Sequence, residues 1–437
     1  MEQGDVLTRR LSATTLGLHG VGVIIGAGIY VLVGEIARYV GNGLWLAFTG
    51  AAVAALPTAL CYASLTSRHP RSAGEAVFVD RAFGRPWLSF AVGYLVLASG
   101  VASTAAVSHG FTRYFLELVP LPAAASPVLA IAFLGALSWI NHRGLEEATW
   151  VNTVCVVLSV GALVVLVVAA IPTWGSVDLL SVGPVGPDTD ALPTGGFAAL
   201  LSASALAFYA YVGFEDMCNV AEEVKHPERA MPRAILGAMA VATVIYIAVG
   251  VTVVSAVPVA ELVESEVPLA RVWEKVLPGV PVWVLAVVAL FAVTNTALFN
   301  MIMASRILWG MSRQGWISPV FGRLHSRRKT PTAGVIAVLV LAAGTSVTGV
   351  LSVLAEATNI IILMVFFAVC LALFVARLKG VPSDDPAKSG FEVPLLVPIV
   401  GMAIDGYLVA QFSPGAYLRA GSLLIVGLAL YAFGRRR

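Results

Sequence analysis

The stretch GVGVIIGAGIYVLVG (residues 20–34) lies inside the first long apolar run of the chain and carries glycine at 20, 22, 26, 28 and 34. Glycine weakens a helix interior more than any residue except proline, so its concentration in the middle of a helical run needs a reason. In IIGAGIY (24–30), Gly26 and Gly28 let the backbone leave the helix, freeing local N–H and C=O groups to bind something other than each other. A plainer role is also open. Gly22, Gly26 and Gly34 recur at spacings of four and eight, which makes a small-residue face for a neighbouring helix.

The run is the first of twelve apolar stretches near the ~20 residues that cross a bilayer. They fall at about 16–39, 44–66, 86–118, 121–141, 149–171 and 197–220, then 234–257, 281–310, 332–349, 354–376, 393–412 and 415–433. Across 437 residues, 59% are hydrophobic and 12% charged, with a mean hydropathy of +0.89. That composition excludes a soluble globular domain and predicts an all-α integral membrane protein forming one domain over 1–437. An even number of spans puts both termini on one side. With the termini inside, 21 of the 27 Lys and Arg fall on inner segments and five on outer ones, leaving Arg306 within a span. The bias predicts cytoplasmic termini and a multi-pass protein of the cytoplasmic membrane. The basic residues are topology signals spread over loops, so no nucleic-acid partner is expected. MEQGDVLTRR leads into a full-length span without a small-residue cleavage site, and the first span is expected to act as its own insertion signal. Cys61, Cys155, Cys218 and Cys370 lie in spans without paired spacing and read as small buried residues.

A second interruption matches the first. SALAFYAYVGFEDMCNVAEEV (204–224) places Gly213, Glu215 and Asp216 in the sixth apolar run. Runs one and six open two consecutive sets of five, 16–171 and 197–376, with 393–433 left over as a pair. Interrupted helices at matching positions point to a transporter built from inverted repeats, with its site at the midplane. Exposed backbone is tolerated at that depth only where it lines a cavity or is buried in protein.

The residues at this point resemble a known family: GVGVIIGAGIYVLVG is similar to the first helix of amino acid permeases of the amino acid, polyamine and organocation (APC) superfamily. FYAYVGFEDMCNVAEEVKHPERAMPRAI (208–235), SRHPRSAGEAVFVDRAFGRP (67–86) and ASRILWGMSRQGWISPVFGRLHSRRKTP (304–331) resemble its sixth helix, its second inner loop and the end of its eighth helix. The resemblance implies the LeuT-like fold: 12 transmembrane helices, a 5+5 inverted repeat with broken helices 1 and 6, and two peripheral helices. It implies secondary transport of amino acids by alternating access, with no cofactor.

Carried onto this chain, the resemblance places a substrate carboxylate at the amides of Gly26, Ala27 and Gly28. Free N–H groups at a half-helix start carry partial positive charge, which suits an anion. The ammonium would meet carbonyls of Ile24 and of Phe208, Tyr209, Ala210, Tyr211 and Val212, with Tyr209 as the gating aromatic. Pairing both ends of a zwitterion with fixed dipoles selects α-amino acids by their common part. Glu215 follows the break, and an ionisable residue inside a span is a functional candidate; the family uses it to tie the broken helix to its neighbours. Asp216, His19 and His109 are less typical of the pattern. Ser64 stands where a glutamate is frequent and Glu75 where a glycine is frequent.

The fifth run departs from the family. Proton-coupled relatives carry a lysine at the position of Ser159, and no Lys or Arg lies within 149–171. Three outcomes stay open: sodium fills the cation position, a proton is carried elsewhere, or substrates exchange without a coupling ion. A sodium set would draw on Gly22 and Ile25 with Ala292, Asn295 and Thr296, although Asn and Thr in a helix also serve as interhelical glue. An intramembrane enzyme would need paired aspartates or a metal-ligand histidine motif, and no two of the six histidines lie within five residues of each other. A channel would need rings of charge or repeated filter loops, which do not appear. Polyamines or other amines are the alternative cargo, with Asp216 the available carboxylate.

Overall fold

The computed structural model describes residues 7–434 except 27, 187–195, 266, 348–350, 386–389 and 413. The described residues form sixteen α-helices joined by short 3-10 turns, with no β-strand. In chain order they are α1 (Ala13–Ile25), α2 (Gly28–Val40), α3 (Leu44–Arg68), α4 (Gly74–Phe83), α5 (Pro86–Leu118), α6 (Ser126–Arg143), α7 (Leu145–Ala170) and α8 (Gly196–Phe208). They continue with α9 (Pro227–Ala256), α10 (Val259–Glu264), α11 (Pro268–Val276), α12 (Trp283–Arg313), α13 (Thr332–Val347), α14 (Leu351–Leu378), α15 (Leu396–Ala410) and α16 (Pro414–Gly434).

Nine helical stretches among the described residues are long and apolar enough to cross a membrane, and α13 and α15 are shorter apolar helices. α6 ends in Asn141, His142 and Arg143, which lowers its hydropathy below that of its neighbours. The chain is therefore a multi-pass membrane protein. The short helices α4, α10 and α11 lie in segments that an apolar scan passes over, because each is short and carries charged residues.

The apolar runs bury against each other rather than facing lipid alone. α5 and α12 share the longest seam, α3 packs along α9 and α8, α6 along α13, and α2 along α8. Glycine allows the closest approaches: a Cβ on Gly250 would sit 3.2 Å from the Trp45 backbone, and one on Gly310 would sit 2.5 Å from the Ser72 carbonyl oxygen. All four cysteines are free and buried, as expected of small apolar residues.

One end of the bundle is stitched by polar contacts. Leu11 and Val224 form a single parallel β-bridge, and Lys225 N–H donates to the Leu11 carbonyl at 2.8 Å. The loop after α14 docks on the loop after α3 through Asp384, which accepts from His69 Nδ1 and Arg71 Nε, both at 2.9 Å, and pairs with Arg81 at 3.0 Å. Burial alone raises the Asp384 carboxyl, but these three partners outweigh it and hold the group well below the usual carboxylate range. Ser64, in the position where a glutamate is frequent, donates to the Phe391 carbonyl at 2.8 Å in the same junction.

Candidate functional site

α1 starts on Ser12, whose side chain caps Thr15 N–H, and stops at Gly26, whose N–H still bonds the Gly22 carbonyl at 2.9 Å. α2 restarts at Gly28. The helix is thus interrupted at the glycines; Ala27 lies outside the described residues. The sixth run breaks as well: α8 ends at Phe208, Tyr209–Tyr211 makes a 3-10 turn, Val212 is extended, and Gly213 takes φ +127°. A second 3-10 stretch, Glu215–Glu223, completes the segment.

The two interruptions face each other. A Cβ on Gly213 would lie 2.8 Å from Val23 Cγ1 and 3.3 Å from the Val23 carbonyl carbon and oxygen, so both its positive φ and its neighbour require glycine. Across the same contact, the Tyr246 hydroxyl of α9 lies 2.6 Å from the Ile24 carbonyl oxygen and 2.7 Å from that of Ala210. One hydroxyl proton is shared between two carbonyls that a continuous helix would have satisfied internally. Glu215 closes the sixth break locally, its Oε2 accepting from Gly213 N–H at 2.7 Å.

Beside the paired breaks is a cavity of about 100 Å³. Val23, Tyr209, Val212, Gly213, Glu215 and Asp216 reach it from the two broken segments. Ser99 and Ser103 of α5, Thr296 and Asn300 of α12, and Thr358 and Asn359 of α14 complete its polar lining. Asn300 Nδ2 donates to Ser103 Oγ at 2.9 Å, tying α12 to α5 at the wall. Tyr209 is half-buried, with its ring edge-on to Phe412 at a centroid distance of 6.4 Å.

Among the residues expected at the site, Tyr209, Val212, Glu215 and Thr296 line this cavity. Gly26 abuts it through Thr296, whose Oγ1 would lie 2.9 Å from a Gly26 Cβ, whereas a Cβ on Gly28 would meet nothing closer than 3.9 Å. Phe208 and Tyr211 turn the other way: Phe208 packs on Phe366, and the Tyr211 hydroxyl donates to the Phe48 carbonyl at 3.1 Å. Gly22 packs on Asn295, with a Gly22 Cβ position 2.7 Å from the Asn295 Nδ2. Asn295 is fully buried, and neither amide atom has a hydrogen-bond partner. Ile25 is buried and Ser159 donates to the Val156 carbonyl at 3.3 Å. The Ala292 carbonyl accepts the Thr296 hydroxyl at 3.2 Å. His19 and His109 hydrogen-bond to Thr153 and to the Ser346 carbonyl.

Tyr246 escaped the sequence reading because one aromatic residue in an apolar run looks like packing. Its hydroxyl has a measurable role here. Tyr246→Phe keeps the ring stacked on Phe48 but leaves both carbonyls short of a donor. We expect the variant to be less stable by about 1–3 kcal/mol in thermal unfolding and to bind ligand more weakly. Wild-type stability and affinity together would show that the bridge is dispensable.

A second cavity, of about 330 Å³, lies on the α2 side of the breaks, lined by Tyr30, Gly110, Tyr114, Glu117, Ala292 and Val293 among others. Ala292 and Thr296, one helical turn apart on α12, lie at the larger and smaller cavities respectively.

The chain as a whole is similar in sequence to known transporters. The chain is 29% identical to a methylthioribose transporter of Bacillus subtilis (strain 168), over 99% of this chain and 94% of that protein. It is 28% identical to a branched-chain amino acid permease of the same organism with the same coverage of each. It is 30% identical to the vacuolar cationic amino acid transporter 4 of Arabidopsis thaliana, over 88% of this chain and 66% of that protein. The model of the amino acid permease family matches residues 11–433. A chain matched over nearly its whole length by that model, with transporters as its relatives, belongs to the amino acid permease family.

Proposed function

We propose that this protein moves amino acids across the cytoplasmic membrane by exposing the cavity at the paired breaks to one side and then the other. The observation that carries the proposal is the apposition of two interrupted helices, Gly213 against Val23 and Tyr246 between Ile24 and Ala210, beside a cavity with polar walls. The Gly26 N–H is held by the Gly22 carbonyl, so the backbone amides that open α2 at Gly28 would receive the substrate carboxylate. The ammonium would meet carbonyls of the sixth segment, with Glu215 and Asp216 at the same wall. The carbonyls of Ile24 and Ala210 each keep one lone pair beyond the Tyr246 contact.

The packing supports a twelve-span arrangement with two repeats of five. Counting α1 and α2 as the first span and the broken α8 segment as the sixth, the first packs on the sixth, the second on the seventh, the third on the eighth and the fourth on the ninth. That is the pairing a pseudo-twofold between repeats produces. The excess of Lys and Arg on one side supports cytoplasmic termini. In that orientation the larger cavity at Tyr30 opens outward and the stitched end at Leu11 and Val224 is the closed inner gate.

Asp216 at the cavity favours one other cargo, an amine without a carboxylate. Thermal unfolding of the purified protein against the twenty amino acids and spermidine separates the two. A ligand at a hundred times its Kd adds about 2.7 kcal/mol of stability. Stabilisation by one or more amino acids, and their uptake into proteoliposomes, is the expected result. Stabilisation by spermidine alone would establish the amine, and no response to any amino acid would contradict the proposal.

A further inference from the structure

Glu75 stands where the family resemblance leads one to expect glycine, and its surroundings give it a task. It lies in the first turn of α4, a helix outside the spanning segments whose Gly74, Glu75, Ala76, Phe78 and Val79 are all buried. Gly74 N–H donates to Asn219 Oδ1 at 3.0 Å, and Asn219 Nδ2 donates to Glu75 Oε1 at 3.3 Å. Ser72 N–H donates to Glu222 Oε1 at 3.2 Å. α4 is thereby clasped at two points to the inner stretch of the sixth segment, whose outer end, Glu215 and Asp216, lines the cavity.

No cation among the described residues offsets the Glu75 carboxyl. The nearby arginines are engaged elsewhere: Arg306 on Glu223 and Asn141, and Arg71 and Arg81 on Asp384. The Cys218 thiol and Asn219 of the sixth segment act on Glu75, and Glu75 in turn acts on Glu215 and Asp216 further along it. From α3 comes Tyr62, fully buried, its hydroxyl without a hydrogen-bond partner and within electrostatic reach of Glu75, Cys218 and Glu215. From α14 comes Cys370, which acts on the same hydroxyl. α5 meets α4 through Gly93 against Ala76 and brings no charge. The rings of Phe78, Phe214 and Phe366 surround Tyr62 and keep the remaining space apolar. A carboxylate isolated in this way is costly until a proton neutralises it. Burial pushes the Glu75 carboxyl up to about 7, against the weaker pull of its hydrogen bonds.

We propose that Glu75 carries the proton that drives uptake: its carboxyl holds the proton while α4 is clasped to the sixth segment, and releases it to the inner water when the clasp opens. The proposal rests on the transport function assigned to the cavity. Only one O–H bond forms and breaks. One proton travels with one substrate molecule, so a zwitterionic cargo moves one net positive charge.

The test uses the whole protein in proteoliposomes with radiolabelled leucine and radiolabelled arginine. Exchange against internal amino acid is measured first, then accumulation driven by acid outside with no internal substrate. Wild type is expected to exchange at least one of the two and to accumulate it about tenfold for each pH unit imposed, as one proton per substrate allows. Glu75→Gln keeps an oxygen for Asn219 but cannot titrate, and its accumulation relative to its own exchange should fall to equilibration. Asn219→Ala removes one point of the clasp but leaves the Ser72–Glu222 contact and the titratable carboxyl, so it should retain gradient-driven accumulation, which a merely structural Glu75 would not predict. If Glu75→Gln gives no folded protein, Glu75→Asp with a lumenal pH dye decides, because the pH profile of substrate-linked acidification should shift. Gradient-driven accumulation by Glu75→Gln equal to wild type, an unshifted profile in Glu75→Asp, or wild-type exchange indifferent to pH would each overturn the proposal. Failure of wild type to exchange either amino acid would instead remove the transport reading for those substrates, and this proposal with it.

Discussion

Gly213→Ala is expected to abolish uptake while Gly237→Ala, on α9, leaves it unchanged. A methyl group at 213 meets two penalties at once. The backbone is at φ +127°, which an L side chain rarely adopts and which costs about 1–3 kcal/mol. The added carbon would sit 2.8 Å from Val23 Cγ1 and 3.3 Å from the Val23 carbonyl group, and backbone cannot yield as a side-chain tip can. Overpacking of that kind adds about 1–3 kcal/mol. The strain would fall on the contact that seats the sixth break against the first, so ligand binding suffers before the distant helices do. Gly237 has nothing within 4 Å of its Cβ position and serves as the control for a harmless methyl group. Normal uptake by folded Gly213→Ala would mean that the two breaks need not meet as described.

The second large effect concerns Arg306, a guanidinium with no exposure in the middle of a membrane protein. Its Nε donates to Glu223 Oε1 at 2.9 Å and its Nη1 to Asn141 Oδ1 at 2.8 Å and Ser305 Oγ at 3.0 Å. Arg306→Met should cost about 3–5 kcal/mol, chiefly because Glu223 is left buried without its partner. The double variant Arg306→Met/Glu223→Gln should recover most of that loss, since no lone charge remains. Thermal unfolding of the three proteins measures both numbers. A single variant as stable as wild type, or a double variant worse than the single, would show that the pair does not hold the inner end of the sixth segment to α12.

Much of this architecture is legible in the residues themselves, and the limits have physical causes. Long apolar runs locate α3, α5 and α12 within a few residues, because a bilayer demands length and hydropathy together, whereas α9 starts about two turns ahead of its run, at Pro227. The break at Gly26 and Gly28 and the turn at Gly213 are visible because few residues other than glycine tolerate such backbone in a span. The cavity wall is harder to see. Ser103, Asn300 and Asn359 are single polar residues in apolar runs, and nothing local says that α5, α12 and α14 bring them together. Tyr209 and Tyr211 are two residues apart, yet a 3-10 turn sends one to the cavity and the other to the Phe48 carbonyl. Arg306 is conspicuous within a span, but Glu223 lies 83 residues earlier, and only the fold brings the two together. α4 reads as a polar loop, so a buried Glu75 emerges only from its packing.

The substrate amino acid is expected to sit between the two interrupted helices. An experimental density map of the purified protein, bound to the amino acid that stabilises it most, tests this directly. Ligand density is expected beside Tyr209 and Thr296, with the carboxylate on the amides that open α2 at Gly28 and the ammonium toward the sixth segment. Density confined to the larger cavity at Tyr30 and Tyr114, with the space between the breaks unoccupied, would contradict it.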